Sequence, residues 1–320
     1  MQKDPVEHAV TLSHPRDIAG FAAHCRGEDR AVALVFVTGT EGGSVRAPGL
    51  RMAVDASGRT IGFVSNGCVE ADIVLQAQDA MENGQPVSIA YGRGSGRIDI
   101  ALPCGGRIEL LIVPVGPAHD APLAALCADD RASGAIALNG DGQWTWHALA
   151  ELQAPAEWRF TVHPRIRLII AGAGAEALLL ARLGVAADMA VELVTPDEAL
   201  AAAARTAGLP CRMLTGLSSA ASLGADAGTA VALMFHDHEW EIRLLADALA
   251  GPAFYVGALG STRAHDRRVE ALAAHGIGAD IATRIRAPIG LVHQLRDPNL
   301  LAVSVLAEIA ADFQSRFTAF

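Results

Sequence analysis

Residues 167–177 read Arg-Leu-Ile-Ile-Ala-Gly-Ala-Gly-Ala-Glu-Ala, and this stretch decides the fold of the second half of the chain. Leu168 to Ala171 form a short apolar run of the kind buried in a parallel sheet. Gly172-Ala173-Gly174 follows at once, and Ala177 takes the third small position of a G-x-G-x-x-G/A turn that opens a helix. Glycine suits this place because N–H groups at a helix start can meet an anion only where no Cβ intervenes. The pattern predicts a strand over 167–171, a glycine crest, and a helix to about Leu183.

The alternation continues outward. Strands are expected at 189–194, 229–235 and 253–258, with a helix over 196–207 and others between the later strands. A last helix begins at Asp297-Pro298, where Asp suits the cap and Pro the first helical position. Alternating strands and helices imply right-handed crossovers and a mostly parallel sheet, hence an α/β, doubly wound, Rossmann-like domain over 164–320. A dinucleotide site of the usual kind also wants an acidic residue ending the second strand. Thr195 stands there, Asp197 comes two residues late and Glu192 lies inside the strand. Gly172 and Gly174 therefore read equally as nucleotide-binding residues or as a tight turn kept for helix-on-sheet packing. An autonomous NAD(P)-dependent oxidoreductase built on this domain is the alternative function that the motif raises.

The other half reads differently. Residues 31–37, Ala-Val-Ala-Leu-Val-Phe-Val, form a buried strand that runs into the turn-rich stretch 38–48. Two short strands, 51–54 and 60–64, flank Asp55-Ala56-Ser57-Gly58, a hairpin turn. From Val69, apolar residues at 69, 73, 77, 80 and 81 share one helical face until Asn83-Gly84. Ile98, Ile100 and Leu102 alternate, Pro103-Cys104-Gly105-Gly106 turns the chain, and 107–113 returns as a strand, placing Cys104 on a hairpin tip. The expected organisation is an α+β domain over 1–120, a linker with a hairpin around Asn139-Gly140-Asp141-Gly142 over 121–163, and the Rossmann-like domain.

Composition sets the outer limits. With 320 residues, two separately cored domains are within reach. Apolar residues at 51%, charged residues at 19% and a mean hydropathy of +0.30 exclude disorder for most of the chain. Lys and Arg number 25 against 35 Asp and Glu, and the formal charge of -10 argues against nucleic-acid or anionic-membrane partners. No apolar run reaches the roughly 18 residues of a membrane span. Met1 to His8 carry Lys3, Asp4 and Glu7 with no apolar stretch behind them, so the expected location is the cytoplasm. Five cysteines without a C-x-x-C pair point to neither a disulfide framework nor a zinc ribbon.

Within these limits five places carry chemistry. Ser65-Asn66-Gly67-Cys68-Val69-Glu70 puts Cys68 beside the first turn of a helix, after a flexible glycine, where the helix dipole favours thiolate. Cys68 is then a candidate nucleophile, sulfur carrier or metal ligand. Glu70 disfavours thiolate unless it accepts a proton or is turned away. The loop 41–52, with Gly43, Ser44, Arg46, Gly49 and Arg51, offers backbone N–H groups and guanidinium forks suited to phosphate or another oxyanion. Cys104 is a second thiol on a turn. In the Rossmann-like domain, His236 and His238 form an H-x-H pair, a weak metal signal, and Gly260, Ser261 and Arg263 follow a strand where an anion suits a helix start.

The motifs 43–52 (Gly-Ser-Val-Arg-Ala-Pro-Gly-Leu-Arg-Met), 64–70, 102–109, 172–174, 235–239, 257–265 and 287–291 occur in the order seen in one family. The chain resembles the XdhC/CoxI family, accessory proteins for molybdenum hydroxylases such as xanthine dehydrogenase. The resemblance implies a cysteine-bearing N-terminal domain, a Rossmann-like C-terminal domain and, often, a homodimer. It implies a chaperone that binds the molybdenum cofactor, assists exchange of an oxo for a sulfido ligand with a cysteine desulfurase, and delivers the product to the apo molybdenum hydroxylase. The family's cysteines fall on Cys68 and Cys104, and its arginine-proline-glycine loop on Arg46, Pro48 and Gly49. The sequence departs from the family at Asn66, Ala175 and Thr195, and at Val292-His293-Gln294.

Overall fold

The computed structural model describes residues 14–42, 47–65, 67–95, 105–148, 155–216, 222–235, 238–293 and 295–317, without the side chains of His238 and Glu239. The chain divides into two compact units, Met1–Pro164 and Arg165–Phe320.

The first unit is built on a five-stranded antiparallel sheet in the order β3-β2-β1-β5-β4. Its strands are β1 (Val32–Glu41), β2 (Gly49–Asp55), β3 (Thr60–Gly62), β4 (Val87–Gly92) and β5 (Arg107–Pro114). The unbroken apolar run of β1 follows from burial on both faces. Ala33, Val35 and Val37 enter one core with Ile73, Ala77 and Ala80 of helix α2 (Glu70–Asn83), while Val32, Leu34 and Phe36 enter another. That second core is completed by α1 (Pro15–Gly27), α3 (Asp120–Ala128) and a three-stranded sheet of β6 (Gly134–Leu138), β7 (Trp144–Ala148) and β8 (Trp158–Val162). Phe36 stacks on Phe160 at 6.1 Å between ring centroids. The stretch expected as a linker thus contains a helix and a sheet within the first unit.

Register fixes which loops meet. Glu41 pairs with Arg107, Gly92 with Arg107, Gly49 with Val37, and Gly62 with Met52. The β1–β2 connection, the exit of β3 and the β4–β5 connection therefore leave the sheet at one end. The partner of β5 was expected at 98–102; among the described residues its neighbours are β1 and β4, whose Val-Ser-Ile-Ala-Tyr-Gly carries the apolar–polar alternation that the reading passed over. Residues 98–102 and Cys104 lie outside the described residues.

The second unit holds a six-stranded parallel sheet in the order β11-β10-β9-β12-β13-β14. The strands are β9 (Arg167–Gly172), β10 (Ala190–Thr195), β11 (Cys211–Met213), β12 (Thr229–Met234), β13 (Tyr255–Ala258) and β14 (Ile285–Arg286). Numbered along the chain this is 3-2-1-4-5-6, the Rossmann order, with the switch point between β9 and β12. Helices α4 (Ala175–Ala186), α5 (Glu198–Thr206) and α9 (Pro298–Phe317) pack on one face through Leu180, Leu200 and Val305. Helices α6 (His238–Ala250), α7 (Thr262–Ala274) and α8 (Ala279–Ala282) cover the other through Leu245, Leu272 and Ala282. Among the described residues no helix is long and apolar enough to cross a membrane.

Candidate functional site

Cys68 is exposed, on the segment that leads from β3 into α2. This segment is held by Glu70. Its Oε1 accepts from the amides of Val64 (3.0 Å) and Ser65 (2.6 Å), and its Oε2 from the Ser65 hydroxyl (2.7 Å) and the amides of Gly67 (2.7 Å) and Val69 (3.3 Å). The Ser65 hydroxyl also accepts from the Val69 amide at 3.0 Å. Five donors around one carboxylate make a nest that the chain fills with its own anion. Burial pushes the Glu70 carboxyl upward, but hydrogen bonds from Ser65 and Val64 outweigh it and hold the group below its ordinary range. A carboxylate so held is a weak proton acceptor; its place in the structure is to fix the loop on which Cys68 stands. Gly67, at φ 104°, takes a backbone conformation that side chains disfavour.

Helix α2 is anchored over the same sheet end. The Tyr91 hydroxyl, on β4, donates to Asp72 Oδ2 at 2.6 Å, one turn beyond Cys68. Across the end, Arg51 folds back on its own loop: Nε donates to the Ala47 carbonyl (2.7 Å) and Nη2 to that of Pro48 (2.9 Å). The guanidinium lies over Gly49, where a Cβ would come within 3.3 Å of Nη2. Arg51 thus shapes the loop with N–H groups that the sequence reading offered to a ligand. At the β4–β5 connection Arg93 donates to the Gly105 carbonyl (3.3 Å) and Arg107 to that of Arg93 (3.2 Å), two cations that the reading overlooked. Gly42 abuts Gly106, since a Cβ there would lie 3.3 Å from the Gly106 Cα. The chain segments flanking the arginine loop and the Cys104 turn are therefore side by side. Gly67, Cys68, Glu70, Gly49 and Arg51 are brought to this one end; Gly43, Ser44, Arg46 and Cys104 lie outside the described residues.

The remaining sequence candidates belong to the second unit. A Cβ on Gly172 would sit 2.6 Å from the Met234 carbonyl oxygen, so this glycine is needed for the close approach of β9 and β12. Gly174, at φ 87°, precedes α4, and the Glu176 carboxylate approaches within 3.3 Å of where its Cβ would be. An acid at that point disfavours a pyrophosphate on the crest. At the end of β10 the buried Thr195 hydroxyl accepts from the Asp197 amide (3.0 Å), and Asp197 caps α5 through the amides of Ala199 and Leu200. Both side chains are thus engaged in shaping the start of α5. Gly260, Ser261 and Arg263 sit after β13, with Ser261 capping α7 through the Ala264 amide at 3.3 Å. His236 and the His238 side chain lie outside the described residues, among which no group of three or more His, Cys, Asp or Glu side chains is placed to hold a metal ion.

Fold and site together define a two-unit α/β protein that joins a thiol-bearing antiparallel domain to a Rossmann-like domain. Residues 25–92 match the XdhC and CoxI family, and residues 168–309 match the XdhC Rossmann domain. The chain is 33% identical over 310 residues, 95% of its length and 91% of the relative's, to the molybdenum cofactor insertion chaperone PaoD of Escherichia coli K12. It belongs to the XdhC/CoxI family. Its fold is also that of a Bacillus halodurans protein described in its crystal structure as a xanthine dehydrogenase, with a TM-score of 0.74 at 19% identity, over 95% of this chain and 96% of that one.

Proposed function

We propose that this chain is a molybdenum cofactor chaperone: it receives the cofactor at the thiol-bearing end of the five-stranded sheet and delivers it to an apo molybdenum hydroxylase. The observation that carries the reading is the register that brings the Cys68 segment, the β1–β2 connection and the β4–β5 connection to one sheet end, with Cys68 exposed. The likeness to PaoD, whose name states such a role, supports it. The cargo is a pterin with a phosphate and a dithiolene-bound metal, so its holder needs cationic and N–H donors for the anion and a soft sulfur for molybdenum. In this reading Arg46 and the amides of Gly43, Ser44 and Gly49 take the anion. Cys68 contacts molybdenum or carries sulfur, with Cys104 as a second thiol, and Glu70 and Arg51 position the loops.

The finer reading follows the family. A cysteine desulfurase supplies the sulfur that replaces an oxo ligand, the client is of the xanthine dehydrogenase type, and the chaperone works in the cytoplasm as a homodimer. The test is purification from cells that make the cofactor and from cells blocked in pterin synthesis, followed by acid oxidation, pterin fluorescence and molybdenum analysis. Near-stoichiometric pterin and metal from the first source only, transferable to an apo-hydroxylase, are expected. Protein that carries neither and leaves the apo-hydroxylase inactive overturns the reading.

A further inference from the structure

We propose that the second unit carries a phosphate-binding site at the start of α7, separate from the glycine crest, in which Arg268 and His265 supply donors from beneath the Leu259–Gly260 turn. Helix α7 begins after β13, at the carboxyl edge of the parallel sheet, where open α/β sheets take their ligands. Ser261 satisfies the Ala264 amide, leaving those of Thr262 and Arg263 without an intrahelical acceptor; the first turn holds Arg263 and no acid.

The second observation is a buried, half-used guanidinium. Arg268 is 2% exposed. Its side chain runs back toward the helix start, as long helical side chains do. There Nη2 donates to the Leu259 carbonyl and to Glu241 Oε1, both at 2.7 Å. Nε and Nη1 are buried with no acceptor among the described residues. A guanidinium carries one N–H on Nε and two on Nη1, so three donors face the interior unmet. Buried donors in that state call for an ion or water. His265, three residues earlier on the same face, buries Nδ1 with no partner either. Gly260 (φ 131°) lets the turn pass over this cluster, for a Cβ there would lie 3.1 Å from Ala264 Cβ and 3.5 Å from Arg268 Nη2.

The Arg268 guanidinium lies at the Leu259–Gly260 turn that leads into the helix start. In the proposed site a tetrahedral oxyanion, with oxygens out of any single plane, takes donors from both the first-turn amides and the buried side chains. Glu241 offsets the Arg268 charge, and Arg263 adds positive charge in the first turn of α7. At the crest after β9, Glu176 repels the same ligand. The inference concerns the second unit alone and stands or falls apart from the cofactor reading.

Isothermal titration of the full chain with inorganic phosphate, and separately with adenosine 5′-monophosphate, tests it. Saturable binding is expected in the millimolar range or tighter. Equal affinities identify the ligand as a small phosphate ester, and tighter binding of the nucleotide identifies a nucleotide phosphate. Arg268→Lys, which keeps a cation for Glu241 but loses the unmet N–H groups, weakens binding about tenfold or more, and His265→Ala about threefold. Glu176→Gln leaves it within about twofold. No saturation by about 10 mM, or Arg268→Lys and His265→Ala both binding as the parent does, overturns the site. So does a gain of about tenfold in Glu176→Gln, which puts the anion at the glycine crest. If Arg268→Lys does not fold, His265→Ala and phosphate-induced shifts of the Thr262 and Arg263 amide resonances carry the test.

Discussion

Replacing Glu70 by Gln tests the nest directly. The carboxylate takes five hydrogen bonds, two at Oε1 and three at Oε2. Glutamine keeps one acceptor oxygen, which can serve the three donors at Oε2, while its NH2 faces the amides of Val64 and Ser65. Losing two charge-assisted bonds at about 1.5 kcal/mol each gives about 3 kcal/mol of destabilisation at neutral pH. The sign of its pH dependence follows from the held-down carboxyl. Its stabilisation is full above the ordinary value of 4.5 and fades as pH falls through the lower folded-state value, so the gap between parent and variant closes in acid. Urea unfolding followed by tryptophan fluorescence reads this well, because Trp144, Trp146 and Trp158, three of the four tryptophans, lie in the first unit. Equal stabilities at neutral pH, or a gap that stays constant into acid, would refute the assignment of Glu70 as the anion that holds the Cys68 loop.

Other outcomes follow from the same geometry. Tyr91→Phe removes the hydroxyl that donates to Asp72 and should lower first-unit stability by about 1 kcal/mol while slowing cofactor loading, as seen by denaturation and pterin release. Gly172→Ala drives a Cβ into the Met234 carbonyl and should destabilise the second unit by about 2–4 kcal/mol in Trp240-monitored unfolding; an unchanged midpoint would remove the packing explanation of the glycine crest. Mass spectrometry after brief iodoacetamide treatment should find Cys68 alkylated and Cys25 untouched, since Cys25 is buried and burial pushes its thiol upward. Labelling of Cys25 in the native chain would contradict this.

The parallel sheet was legible because three of its strands are short apolar runs, Leu168 to Gly172, Thr229 to Met234 and Tyr255 to Ala258, the first followed by Gly174 and the last by the helix cap Ser261. The two-residue Ile285–Arg286 and three-residue Cys211–Met213 strands are too short to show a period, and only their parallel neighbours define them. In the first unit the Cys68 motif was readable as a helix start after glycine, and Glu70 as a group that might turn away. That it turns onto the loop's own amides rests on hydrogen bonds to Val64, Ser65, Gly67 and Val69, which no pattern of residue types announces. Asp197 was readable as a late acid and proves to be a cap, the usual fate of Asp ahead of a helix. Arg268 left no local signal. Its buried pairing with Glu241 joins residues from two different helices, and nothing in Arg-Ala-His-Asp-Arg-Arg distinguishes it from its solvated neighbours.

The sharpest trial of the cofactor assignment is a loading titration with isolated molybdenum cofactor on the parent chain, Cys68→Ala and Arg46→Ala, each first shown by circular dichroism to be folded. We expect the thiol variant and the guanidinium variant each to bind at least about tenfold more weakly than the parent, because in the proposed function both loops hold one ligand. Parent-like loading by both would mean that the cofactor, if the chain carries it, is held somewhere else.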